Sequence, residues 1–292
     1  MSGRGKWFGV AAILAAAAVI VGVIVWPTSD DPEPPPAAAP HQVHLGDSFA
    51  AGAGTSPLVE DSPFTCQRSS ANFGQLVAHD NGYRLTDVSC AGAWTKSFYE
   101  SQYEGVGPQL DAVTADTDLV TLMIGGNDAA LYSTLVGDCA RVAESDPRGA
   151  PCRAELGPDP QRAVDDEIGP AVTKALRDIA ARAPHAKIVI VGYPWLVPRS
   201  SACRPAVRIA DGDIAYVRRV QTGLNAAIAD AAAAAGAEFV DLSGVSDGHD
   251  ACAAESVRWI EPMVGGRSPI TMHPNEAGQR AMADAVEKAL MR

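Results

Sequence analysis

The stretch Val43-His44-Leu45-Gly46-Asp47-Ser48-Phe49-Ala50-Ala51-Gly52 decides how this chain is read. A short apolar run ends in Gly-Asp-Ser and small residues then open a helix, so the pattern is strand, tight turn, helix start. A serine at that bend carries its Oγ at the carboxyl edge of a sheet, next to unpaired backbone N–H donors that favour negative charge. Such a residue suits a nucleophile and part of an oxyanion hole together. Gly-Asp-Ser is also ordinary turn and cap chemistry. The remaining stretches have to discriminate.

Working outward, apolar runs and amphipathic segments alternate. Strands are expected over Gln42–Leu45, Arg84–Ser89, Asp118–Ile124, Lys187–Gly192 and Glu238–Leu242. Helices are expected over Ala71–His79, Gln161–Ala183, Asp213–Ala235 and Pro274–Leu290, the last with proline in its first turn. Asp118–Ile124 is almost continuously apolar, as a strand covered on both faces must be. Strand–helix–strand order with short connections predicts a parallel sheet in a three-layer α/β/α domain over residues 42–292. Trp94, Trp195 and Trp259 read equally as pocket lining or as core.

In such sheets ligands bind beyond the carboxyl ends of the strands. Four stretches fall there: Gly46-Asp47-Ser48-Phe49, Ser89-Cys90-Ala91-Gly92-Ala93, Gly125-Gly126-Asn127-Asp128, and Thr271-Met272-His273-Pro274-Asn275 before the last helix. They bring a serine, a glycine, an asparagine and a histidine to one edge. A serine needs a base to take its proton, and an acyl transition state needs donors aimed at its developing oxyanion. Asp47 reads as a turn residue bonding backbone donors. His249 competes with His273 as the base, but it lies beside Cys252 and lacks the Pro-Asn and helix start that follow His273.

Composition narrows the classes. The chain has 292 residues, 47% of them hydrophobic, and a formal net charge of −12, which argues against nucleic acid partners. Residues 1–26 stand apart: Arg4 and Lys6 precede an uncharged run from Trp7 to Trp26. That run would span roughly 30 Å as a helix, so its length favours an uncleaved membrane anchor over a signal peptide, with the domain outside the cytoplasm. Ala37-Ala38-Ala39 offers small residues of the kind signal peptidase accepts, and cleavage there would make the protein secreted. Residues 27–41 form a Pro-rich acidic linker. His41 at its end and His44 in the first strand are an accidental pair without a third ligand, so no metal is expected there.

Six cysteines, none in a Cys-x-x-Cys pair, stand behind this export segment and are expected to form disulfides. We expect sequence neighbours to pair, Cys66–Cys90, Cys139–Cys152 and Cys203–Cys252, because each pair then closes a loop between core elements.

The four strand-end blocks, in this order, resemble the SGNH or GDSL hydrolase superfamily. Gly192-Tyr193-Pro194-Trp195-Leu196-Val197-Pro198, Cys203, Gly248-His249-Asp250-Ala251-Cys252 and Trp259 are similar to its secreted actinobacterial esterases and lipases. The resemblance implies a flavodoxin-like five-stranded parallel sheet and three disulfides between sequential cysteines. It implies Ser48 as nucleophile, His273 as base, and an oxyanion hole of the Ser48 and Gly92 backbone N–H groups with the Asn127 side-chain amide. Serine and histidine suffice for ester hydrolysis, so no cofactor is expected. A lipase or phospholipase acting on long acyl chains, acyl transfer to another alcohol, and a catalytically silent binding module of the same fold are the alternatives.

One position departs from the superfamily pattern. An aspartate usually stands three residues before the histidine, and here that residue is Ile270. The expectation is that the Ile270 backbone carbonyl orients His273, with Asp247 or Asp250 as alternatives.

Overall fold

Successive side chains of a strand point to opposite faces, so a run buried at every position needs cover on both. Leu119–Met123 is such a run and forms the central strand β3 of the computed structural model, which describes residues 38–292. The expected anchor and most of the linker lie outside the described residues. The sheet has five strands, all parallel, in the order β2-β1-β3-β4-β5. The others are β1 (His41–Gly46), β2 (Arg84–Asp87), β4 (Lys187–Val191) and β5 (Glu238–Val240). This is the three-layer α/β/α architecture expected.

The helices that shape the site are α1 (Ser48–Ala51), α2 (Phe73–Asn81), α3 (Gly169–Arg182), α4 (Ile214–Ala235) and α5 (Glu276–Leu290). Helix α2 packs on α5, and α3 packs on α4. Even β1 is buried at every residue, and its polar side chains reach partners inside, although His41 Nδ1 and Gln42 Oε1 have no hydrogen-bond partner among the described residues. Gln42 Nε2 donates to Thr121 Oγ1 and to the Gly74 carbonyl, both at 3.0 Å. The His44 ring joins Thr121 Oγ1 at 2.8 Å to the Ala50 carbonyl at 3.0 Å, and so ties helix α1 to the sheet.

Several boundaries differ from expectation for local reasons. Strand β2 stops at Asp87 because its carboxylate accepts the Ser89 N–H at 3.0 Å and turns the chain away. The helix expected over 161–183 is interrupted by a widened turn, Val164–Ile168, before α3. Pro170 lacks an N–H and cannot continue the regular ladder. Pro274 is outside the closing helix: Asn275 caps it by accepting the Gly278 N–H at 3.1 Å, and Pro274 bridges to Ile260 instead. Further helical segments at 128–142 and 151–163 cover a region for which, before Gln161, no element was expected.

The structure joins Cys66 to Cys90, Cys139 to Cys152 and Cys203 to Cys252, the sequential pairing. The first bridge bears on the site, because the Ala91 N–H donates to the Cys66 carbonyl at 2.9 Å one residue before Gly92.

Candidate active site

The turn after β1 is built on close backbone approach. Gly46 has φ +127°, and a Cβ there would lie 2.2 Å from the Met123 carbonyl oxygen. Only glycine fits that position. Gln109 clamps the same residue, accepting its N–H at 2.7 Å and donating to its carbonyl at 3.0 Å. Asp47 then caps α1 by accepting the Phe49 N–H at 2.9 Å, and Ser48 follows as the first helical residue, 8% exposed. Burial raises the Asp47 carboxyl to about 7, against the pull of its hydrogen bonds from Tyr193 and Phe49.

Residues 225 positions apart meet at this turn: His273 Nε2 lies 2.7 Å from Ser48 Oγ. The other ring nitrogen, Nδ1, lies 2.8 Å from the backbone carbonyl of Thr271. A carbonyl can only accept, so Nδ1 carries the proton and Nε2 is left to accept from the serine hydroxyl. Burial lowers the imidazole pKa, partly offset by the Thr271 carbonyl, which keeps the ring neutral and basic.

The orienting carbonyl is therefore that of Thr271, and the expectation of Ile270 is corrected. The cause is Met272, which is buried and left-handed at φ +57°. Its N–H donates to the Glu261 carbonyl at 2.7 Å, and the Glu261 N–H donates to the His273 carbonyl at 2.9 Å. Held this way, the 271–272 peptide turns its oxygen onto the imidazole, while Ile270 lines the neighbouring cleft. The alternative carboxylates are engaged elsewhere: Asp247 pairs with Arg199 and Arg218, and Asp250 accepts the Cys252 N–H. His249 stacks on Trp259 and bonds the Val257 carbonyl.

Gly92 and Asn127 line the same cleft as Ser48 and His273. Gly92 is left-handed at φ +77° and exposed. One N–H of the Asn127 amide donates to the Ala93 carbonyl at 2.8 Å, which leaves its second N–H for an oxyanion. Two residues without an assigned role at the sequence level hold these loops together. Asp128 accepts the Thr95 N–H at 3.0 Å and also the Thr95 hydroxyl, tying the Asn127 loop to the Gly92 loop. Tyr193 Oη accepts the Gly126 N–H at 2.8 Å and donates to Asp47 Oδ2. Both residues stood in motifs visible in the chain, but only their partners, far away in sequence, reveal what they do.

The cleft holds about 500 Å³ and is walled by Tyr132, Val136, Gly137, Leu196 and Ile270. The three tryptophans serve elsewhere. Trp195 is buried under Arg218 and donates to the Ser243 carbonyl at 2.8 Å, Trp259 stacks on His249, and Trp94 is half exposed outside the cleft.

Comparison with known proteins identifies the family. The profile of the GDSL-like Lipase/Acylhydrolase family matches residues 44–281. Lipase 2 of Streptomyces coelicolor is 44% identical over 245 residues, covering 83% of this chain and 83% of that protein. A lipase of Streptomyces rimosus is 30% identical over 82% of this chain and 83% of its own length. Among solved structures, an extracellular lipase from Streptomyces rimosus superposes with a TM-score of 0.72 at 26% identity, over 86% of this chain and all of that one. Phospholipase A1 from Streptomyces albidoflavus shares the fold, with a TM-score of 0.73 at 24% identity over 86% and 99% of the two chains. The chain belongs to the GDSL-like lipase/acylhydrolase family and is a carboxylic ester hydrolase of the SGNH/GDSL type.

Proposed function

We propose that the protein is an exported serine esterase that cleaves carboxylic esters through an acyl-enzyme on Ser48. The observation that carries this reading is the 2.7 Å contact between Ser48 Oγ and His273 Nε2 at the floor of a largely apolar cleft. Ser48 Oγ attacks the ester carbonyl while His273 Nε2 takes its proton. The Ser48 and Gly92 backbone N–H groups and the free Asn127 N–H stabilise the oxyanion. His273 then returns the proton to the departing alkoxide. Water repeats the sequence, with His273 as base and the acyl group leaving as carboxylic acid. The Thr271 carbonyl keeps the imidazole in the required tautomer throughout.

The apolar walls favour an acyl chain over a sugar in the cleft, which keeps lipase activity on longer chains within this reading. Three disulfides and the extracellular relative support export, and residues 7–26 supply the membrane-targeting segment.

Stopped-flow release from p-nitrophenyl butyrate should show a burst close to one equivalent, absent in Ser48→Ala. A burst retained in that variant would remove Ser48 as nucleophile. Fractionation of producing cells should place the activity in the membrane and external fractions, and activity confined to the cytoplasm would refute export.

A further inference from the structure

We infer that Tyr193 is a positioning residue for ester cleavage, its hydroxyl coupling the serine turn after β1 to the oxyanion-side loop after β3. The inference rests on the Ser48–His273 reading above.

The tyrosine is completely buried at the end of β4, where packing alone would be served by phenylalanine. Its hydroxyl has two partners of complementary kind. It accepts the Gly126 N–H at 2.8 Å and gives its one proton to Asp47 Oδ2. Asp47 in turn accepts the Phe49 N–H at 2.9 Å with its other oxygen. A continuous chain of hydrogen bonds therefore runs from Gly126, next to Asn127, to the residues on either side of Ser48. Two groups meant for one oxyanion are held at a fixed separation by a third strand.

The position of the hydroxyl is itself fixed. Asn225 on α4 accepts the Tyr193 N–H at 2.8 Å and donates to the Tyr193 carbonyl at 2.9 Å. Gln221, one turn earlier, donates to the Pro194 carbonyl at 2.7 Å. Gly126 lets the ring come close, since a Cβ there would meet Tyr193 Cζ at 3.0 Å. Phe49 packs edge-on against the tyrosine ring at 5.2 Å and reaches the His273 ring at 4.8 Å, so the same cluster supports the base. Burial beside Asp47 pushes the phenol well above its usual 10, which keeps it a donor at any working pH.

Oxyanion stabilisation depends on donors preorganised within a fraction of an ångström. Tyr193→Phe keeps the ring and removes only the link. Measured on p-nitrophenyl butyrate with the full chain, kcat should fall about 10–100-fold while KM stays within about twofold. In the Asn127→Ala background the same substitution should cost markedly less, because the donor it positions is already gone. Asp47→Asn keeps an acceptor for the Phe49 N–H but disturbs the tyrosine link, and should show the same kcat-selective loss. It carries the test if Tyr193→Phe is not recovered folded. An unchanged kcat, or equal losses with and without Asn127, overturns the inference while loss of turnover in Ser48→Ala leaves the serine reading standing. Turnover retained in Ser48→Ala overturns both.

Discussion

Arg258 and Glu261 form a buried ion pair, Nη2 to Oε2 at 2.9 Å, within the segment that is hydrogen-bonded to the His273 loop. Their side chains are 8% and 3% exposed, and the Glu261 carboxylate also accepts the Arg267 N–H at 2.8 Å and the Asn275 amide at 3.0 Å. Asn275 caps α5, so one carboxylate organises the His273 loop and the helix after it. Burial opposes ionisation of Glu261, but these donors together hold its pKa below the usual value.

Removing one member of a buried pair leaves the other charge uncompensated, at a cost of about 3–5 kcal/mol. Glu261→Gln should therefore lower Tm strongly, and Arg258→Met/Glu261→Gln should recover part of the loss. Thermal unfolding of the wild type, Glu261→Gln, Arg258→Met and the double variant at pH 7 checks this. A double variant as unstable as the sum of its parts would mean that the pair itself contributes little.

The groups around the serine turn predict opposite effects of acid and base. Burial lowers the pKa of both His44 and His273 from the usual 6.5. A histidine with a depressed folded pKa costs no stability above 6.5 and loses stability as pH falls below it, when the unfolded chain takes up the proton first. Asp47 is the reverse case. Raised to about 7 from 3.8, it supports the fold in acid, and that support is withdrawn as pH rises from 3.8 through about 7. Asp47→Asn should accordingly raise Tm more at pH 8 than at pH 5, even as it lowers kcat. For the wild type, kcat/KM should decline in acid with a midpoint below 6.5. A Tm difference that is the same at both pH values would mean that Asp47 is ionised across that whole range.

These residues show which parts of the molecule were legible in the chain. Strand β3 and the Gly46–Ser48 turn were readable because two-sided burial and a φ open only to glycine leave marks on residue type. The interruption before α3 hinged on Pro170, whose effect inside a helical pattern is a choice between a stop and a widened turn. Thr271 was missed in favour of Ile270 because the carbonyl's direction depends on a left-handed methionine, which no residue pattern announces. Tyr193 was hidden in another way. A buried tyrosine reads as core until its hydroxyl is seen 146 residues away at Asp47.

Gly137 sits on the wall of the cleft, and a Cβ added there meets no atom within 4 Å. Larger side chains are therefore tolerated by the fold and project into free space. Gly137→Leu should leave Tm unchanged or slightly higher, since glycine is a poor helical residue. Across p-nitrophenyl esters from acetate to decanoate, kcat/KM should fall about tenfold or more for the long chains and by less than about twofold for acetate. A uniform loss along the series would place the acyl chain elsewhere.

Met272 sets the direction of the Thr271 carbonyl through its left-handed backbone, and that predicts a sharp dependence on side-chain branching. At φ +57° an unbranched side chain is strained but possible, whereas branching at Cβ makes the conformation a true outlier. Met272→Leu keeps the volume of this buried side chain without branching at Cβ, and should retain kcat within about threefold. Met272→Ile keeps similar volume but is branched, so the backbone should relax toward negative φ and swing the carbonyl off Nδ1. Without that acceptor the imidazole loses its preferred tautomer, and kcat should drop by about 10²-fold or more with little change in KM. The Nδ1 proton, which the Thr271 carbonyl should hold as a downfield NMR resonance in the wild type and in Met272→Leu, should be lost or shifted upfield in Met272→Ile. Equal activity in the leucine and isoleucine variants would show that the Thr271 carbonyl does not depend on the left-handed turn at Met272.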